Sequence, residues 1–265
     1  MVKDLKELNK LEENKNLYKK LYDTLPERAD LMKKVLGVIG GMGPLATVKL
    51  FDKIVQYTDA KCDQEHLRII IDNNTLIPDR SAHILADGED PREQLINSAT
   101  RLQSSGAEFL IMPCNTAHYF LDDIVKNIDI PFINMIEETA RYIKVNHRDV
   151  IKVGLLATEG THKAMVYENV FSKYGLTVIS PSEEKQRYIM DIIYAIKKGI
   201  KLENLDDFYK VIEEVESKDV DLFILGCTEL SVALELYSLK GSYIDAMDIL
   251  AKKAIEFSGA KVKKY

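Results

Sequence analysis

Short apolar runs alternate with stretches of helical period along nearly the whole chain, and this pattern constrains the fold more than any other feature. The runs are VLGVIGG (35–41), LRIIID (67–72), AEFLIMP (107–113), PFINM (131–135), IKVGLLAT (151–158), LTVIS (176–180) and DLFILG (221–226). Between them lie LATVKLFDKIVQYT, PREQLINSATRLQSSG and LENLDDFYKVIEEVESK, whose apolar residues recur at helical spacing. Strands that are apolar throughout and separated by helices imply βαβ units, in which helices cover both faces of a parallel sheet. The expected class is α/β.

The pattern also repeats itself. GVIGGMGP leads after a few α/β units to AEFLIMPCNTA, and GLLATEGT leads over a similar length to DLFILGCTEL. Each half runs from a glycine-bearing strand end to a strand that stops at a cysteine, Cys114 in the first and Cys227 in the second. Two such halves facing one another would set the two thiols on opposite walls of a cleft. The expected organisation is an amphipathic helical extension over 1–34, a first α/β domain over 35–130 plus 238–265, and a second over 131–237. In the extension Leu5, Leu8, Leu11, Leu17, Tyr18, Leu21, Tyr22 and Leu25 recur near helical spacing, with an end expected before Pro26.

Charge and cysteine content narrow the chemistry. With 36 Lys and Arg against 42 Asp and Glu, the net charge is −6, and no long basic block is present to neutralise phosphates. Nucleic acid is therefore not an expected partner. No run approaches the roughly 18 apolar residues of a membrane span, and residues 1–20 carry no apolar signal region, so no membrane partner and a cytoplasmic location are expected. Three widely spaced cysteines, Cys62, Cys114 and Cys227, supply neither a disulfide framework nor a CxxC metal site. No metal is expected.

In FLIMPCNTAHYF and LFILGCTELSVAL an apolar strand ends, a turn residue follows, and then come a cysteine and small hydroxyl or amide residues ahead of a helical pattern. Ligands of open α/β sheets bind at the carboxyl ends of strands, and helix starts favour anions. Such a setting lowers a thiol's pKa and makes it a usable base, while Asn115, Thr116 and Thr228 can donate hydrogen bonds to a carboxylate. Cys62, in DAKCDQEH, lacks this context. His118, four residues after Cys114, could face the thiol or simply pack, and His162 could line the cleft. The GxGxxA spacing from Gly41 to Ala46 fits a dinucleotide fingerprint, but no acid ends a strand about 20 residues on, and the fingerprint leaves the paired cysteines without a purpose.

VIGGMGPLAT, NNTLIPDR, PCNTAH and GCTEL, in that order over about residues 35–260, resemble the cofactor-independent aspartate/glutamate racemase family, and its aspartate branch most. The resemblance implies two pseudo-symmetric α/β domains with mostly parallel sheets flanked by helices, an active site in the cleft between them, a homodimer and no cofactor. It implies an isomerase that interconverts L- and D-aspartate, or glutamate, with Cys114 and Cys227 as the two catalytic acid/base groups. If each sulfur comes within roughly 3–3.5 Å of Cα, a near-attack distance, the two flank one carbon and exchange its proton between faces. Met42, Arg80, Asn115, Thr116, Lys197 and Thr228 fall at the family's substrate-binding positions. Arg80 of the PDR motif and Lys197 would hold the distal carboxylate of a dicarboxylic amino acid, concentrating positive potential in an acidic protein. Glu229 stands where the glutamate branch commonly has a histidine. The same superfamily contains maleate isomerases, hydantoin racemases and malonate decarboxylases, the last of which dispense with one cysteine. A non-catalytic binding protein for acidic amino acids would need Arg80 and the hydroxyls but not both thiols.

Overall fold

Two parallel sheets organise the chain. The computed structural model describes residues 33–264, so the expected helix ahead of Pro26 lies outside the described residues. In the compact unit Lys34–Tyr265, β1 (Leu36–Gly40), β2 (Ile69–Asn73) and β3 (Phe109–Ile111) form the first sheet in the order β2-β1-β3. The second contains β4 (Lys152–Ala157), β5 (Thr177–Ile179), β6 (Phe223–Gly226) and β7 (Tyr243–Asp245) in the order β5-β4-β6-β7. Pairing is parallel throughout both, with Leu36 opposite Phe109 and Ile69 in the first, and Ala157 opposite Gly226 in the second.

The period of two along each strand feeds two cores per sheet. Phe109 and Ile111 of β3 join Leu36 and Val38 on one face, whereas Leu110 joins Ile39 on the other. In β4, Val153, Leu155 and Ala157 point one way and Leu156 the other. Both faces are thus apolar and covered by helices, which is the reason the strand segments read as continuous apolar runs.

Local signals set the helix boundaries. Pro44 opens the helix Pro44–Tyr57, where its missing N–H costs nothing. The Asn134 side chain accepts from the N–H groups of Ile136 (2.9 Å) and Glu137 (3.2 Å) and so starts the helix Met135–Asn146. That cap explains a departure from the sequence pattern. PFINM makes only a single bridge, between Phe132 and Leu110, because Pro131 has no donor and Asn134 already begins a helix.

Residues 238–265 are shared between the halves. β7 pairs with β6, Tyr243 lying opposite Phe223, so it extends the second sheet. The helix Ala246–Ser258 that follows packs Met247, Leu250 and Ala254 into the first half's core beside Leu50 and Ile54.

Candidate active site

In both sheets the first strand, β1 or β4, is flanked by the strands that come second and third. The chain leaves it for opposite sides, and the crevice at that reversal is where open α/β sheets bind ligands. The segments after β1 and β3 carry Met42 and Cys114; those after β4 and β6 carry Thr158 and Cys227. The two reversal points face each other.

The turn after β1 is fixed by backbone geometry. Gly41 has φ +93°, and a Cβ there would run into the backbone of Asn74, so only glycine is suited to the position. Thr47 Oγ1 accepts from Gly41 N at 2.9 Å and donates to Gly43 O at 3.1 Å, pinning the loop that presents Met42. After β3, Pro113 and Cys114 lead into a 3₁₀ turn, Thr116–Phe120. After β6, Cys227 is the N-cap residue of the helix Thr228–Tyr237. Only Cys227 therefore stands at an α-helix start, whereas the expectation gave both thiols one.

All eight expected residues, Met42, Arg80, Cys114, Asn115, Thr116, Lys197, Cys227 and Thr228, line one cavity between the halves. Asp79, Ser81, Thr158 and Glu229 complete its wall. The free space is about 20 Å³, so the walls must part to admit an amino acid. A wider vestibule of about 470 Å³ continues outward past Arg80 and Lys197, and Pro44, Leu45, Ile196 and Val232 make its apolar sides. Cys62 and His162 lie elsewhere; His162 bonds Ser180 Oγ at 3.0 Å beside a separate surface pocket.

Both thiols are free and buried, Cys114 at 6% and Cys227 at 7% exposure. Cys227 Sγ donates to Glu229 Oε2 at 2.9 Å. Burial first, and then the charge of Glu229, push the Cys227 thiol well above its ordinary pKa against the pull of Lys197. This corrects the expectation of a lowered pKa there: the helix start is outweighed by desolvation and a neighbouring carboxylate. Thr228 Oγ1 also reaches Glu229 Oε2, at 3.4 Å.

The cations are poised differently. Arg80 is buried and curls onto its own loop, Nη1 donating to Pro78 O at 3.0 Å and Ile77 O at 3.4 Å, while buried Nε has no partner among the described residues. Asp79 caps the short helix that Arg80 begins, accepting from Ala82 N at 2.9 Å. Lys197 is exposed at the mouth. Burial of its head lowers its pKa, but the charges of Glu229 and Cys227 outweigh that, so the ammonium is held above the usual lysine value. Neither cation is within ion-pair distance of a carboxylate among the described residues.

Hydroxyls close the seam behind the cavity. Thr116 Oγ1 of the first half lies 3.0 Å from Thr158 Oγ1 and 2.9 Å from Thr161 Oγ1 of the second, and those two are 3.0 Å apart. The Thr116 hydroxyl is thus engaged by the opposite half. His118 is a packed histidine: Nε2 accepts from Met135 N at 3.2 Å, so Nδ1 carries the proton donated to the Cys114 backbone oxygen at 2.9 Å. Burial lowers its pKa to about 4, keeping it neutral. Among the described residues no His, Cys, Asp and Glu cluster could hold a metal ion, and no helix is long and apolar enough to cross a membrane.

A family model described as Asp/Glu/Hydantoin racemase matches residues 39–254. The structure of Picrophilus torridus aspartate racemase is similar at a TM-score of 0.72 and 32% identity, covering 87% of this chain and 96% of that one. A putative Asp/Glu racemase from Yersinia pestis aligns at a TM-score of 0.72 and 28% identity, covering 85% and 99%. The broad specificity amino-acid racemase RacX of Bacillus subtilis is 26% identical over 227 residues, 83% of this chain and 96% of that protein. Fold and motifs together define an isomerase of the α/β amino-acid racemase class. The chain belongs to the Asp/Glu/Hydantoin racemase family.

Proposed function

We propose that the protein interconverts L- and D-aspartate, with glutamate as an alternative substrate, by proton transfer at Cα between Cys114 and Cys227 without a cofactor. The observation that carries this reading is that two buried cysteines at equivalent reversal points of two similar sheets line one cavity with Arg80 and Lys197. Racemisation demands two acid/base groups on opposite faces of one carbon. One sulfur, as thiolate, takes the Cα proton; the electron pair left on carbon is shared with the α-carboxylate; the other sulfur, as thiol, returns a proton to the opposite face. The pair ends with its protonation exchanged, and its titration belongs to both groups.

Cys227, protonated and hydrogen-bonded to Glu229, stands ready as the donor. To act as base it must first give up its proton, and Glu229 Oε2 is the acceptor within reach. Donors aimed at the substrate carboxylate must stabilise the enolate-like charge as it develops. Asn115, the backbone N–H groups at the start of the helix Thr228–Tyr237, and the loop of Met42 are suited to this. Arg80 and Lys197 would take the distal carboxylate. The molecule is proposed to act in the cytoplasm as a homodimer.

A second reading, racemisation of amino acids with longer apolar side chains, is favoured by the vestibule beyond Arg80, whose volume lies in the range of roughly 300–1,000 Å³ usual for ligand pockets. The similarity to a broad specificity racemase supports the same reading. Purified protein incubated in D₂O with L-aspartate, L-glutamate and L-leucine, then analysed by chiral chromatography and by loss of the Cα proton signal, separates them. D-aspartate formation with deuterium at Cα is expected. Exchange with leucine alone would favour the second reading, and exchange with none of the three would remove both.

A further inference from the structure

We infer that Tyr167 is a positioning residue for this site, holding the Asn115 side-chain amide so that its NH₂ edge rather than its oxygen meets a carboxylate of the substrate. The inference rests on the proposed racemase reading and deepens it.

Tyr167 is fully buried in the second half, its ring packed edge-on against Phe171 with centroids 5.2 Å apart. Its hydroxyl crosses the seam and donates to Asn115 Oδ1 at 2.6 Å. A buried phenol must place its proton on an acceptor, and no second acceptor is found for this one among the described residues. Burial, and then the charges of Asp245 and Cys227, keep the phenol protonated. The Tyr167 hydroxyl is therefore always a donor, and the group it meets must be the amide oxygen. The planar amide then turns Nδ2 away from Tyr167.

Asn115 is 3% exposed and lines the cavity next to Cys114. Its Nδ2 is buried and has no partner among the described residues. A buried donor left unpaired is destabilising, and a carboxylate seated in the cavity removes that cost. Without the Tyr167 hydroxyl the amide could rotate by 180°, and half of its orientations would present an oxygen to the anion. Orientation is thus fixed before substrate arrives, by a residue that does not line the cavity.

The test is a cycle of Tyr167→Phe, Asn115→Ala and the double variant, with steady-state kinetics on L-aspartate. Tyr167→Phe keeps the ring and should raise KM by about tenfold, the equivalent of losing one oriented hydrogen bond, with a smaller change in kcat. Because the effect passes through Asn115, adding Tyr167→Phe to Asn115→Ala should change nothing further. Additive effects on KM, or an unaltered KM in Tyr167→Phe, overturn the inference. Asn115→Asp gives a second reading that does not depend on altering Tyr167. The phenol still donates to a carboxylate oxygen, but the edge toward the cavity becomes anionic, so aspartate affinity should fall further than in Asn115→Ala; affinity equal to wild type overturns the inference. Wild-type protein that racemises nothing marks failure of the racemase reading instead. The same variants are then compared by calorimetric binding of L-aspartate, and a wild-type protein that neither racemises nor binds it overturns both.

Discussion

In the proposed proton transfer, Cys227 enters as the protonated thiol, hydrogen-bonded to Glu229. Burial first, and then the charge of Glu229, keep the thiol protonated, so Glu229→Gln removes the second of these and should lower the Cys227 pKa. Thiolate absorbance against pH, measured in a background with Cys62 and Cys114 replaced by serine, checks this; an unchanged or higher midpoint would show that burial alone sets the value. Replacing Cys114 or Cys227 by alanine should each reduce racemisation by roughly 10²–10⁴-fold, read by chiral chromatography. Full activity in either variant would break the two-base assignment. Both cysteines were legible in the sequence because each follows an apolar strand and precedes small polar residues. Glu229 was legible only as a departure from the glutamate-branch histidine, since hydrogen bonding to a residue two places back depends on a helix start that no spacing rule reveals. Tyr167 gave no signal at all: it lies in a loop of the other half, and only tertiary structure brings it to Asn115.

Secondary elements meet across the seam at one especially close approach. Gly160, in the helix Glu159–Lys163, lies against Ser81 in the helix Arg80–Leu85, and a Cβ at Gly160 would stand 2.8 Å from Ser81 Cα. Gly160→Ala should force these helices apart, costing about 1–3 kcal/mol of stability by urea denaturation. It should also raise KM, because Arg80 begins the helix that must move. A variant as stable as wild type with unchanged KM would show that the seam yields freely. Among the described residues the apolar runs coincide with six of the seven strands, for β1 to β6 are apolar on two faces and flanked by turns. PFINM shares that composition, but Pro131 and the Asn134 cap leave it one bridge. β7 carries no such signal for the converse reason: three residues, Tyr243–Asp245, run straight into a helix capped by Asp245 itself, leaving no separate apolar run.

Across the whole molecule, the repeat of strand, glycine turn and cysteine gave the two-sheet plan and its cleft, but not the tie that joins the helix after β1 to the elements after β6 and β7. Lys53 reads in LFDKIVQY as one surface charge among several. Folded, it is 7% exposed and contacts Asp248 at 2.6 Å, Glu235 at 3.0 Å and Asp245 at 3.5 Å. Asp245 is itself buried; Ser231 Oγ donates to its Oδ1 at 2.6 Å and Met247 N at 2.9 Å. Burial, then the charge of Asp248, push its pKa up to about 6, with Lys53 holding it down. Removing one partner of a buried ion pair costs about 3–5 kcal/mol because the other charge is left unpaired, so Lys53→Met should destabilise strongly at pH 8. The pH dependence follows from the sign of the Asp245 shift. A carboxyl whose pKa is higher folded than unfolded favours the fold while protonated and loses that advantage as pH rises through the folded value. In Lys53→Met that value moves above 6, since the cation that lowered it is gone. Acidifying from pH 8 to pH 5 therefore protonates Asp245 and removes the unpaired charge, and the stability deficit against wild type should shrink. Urea titrations of both proteins at the two pH values measure it. A deficit that is equal at pH 5 and pH 8 would mean that Asp245 does not depend on Lys53, and that the packing of the lysine stem, rather than its charge, ties these elements together.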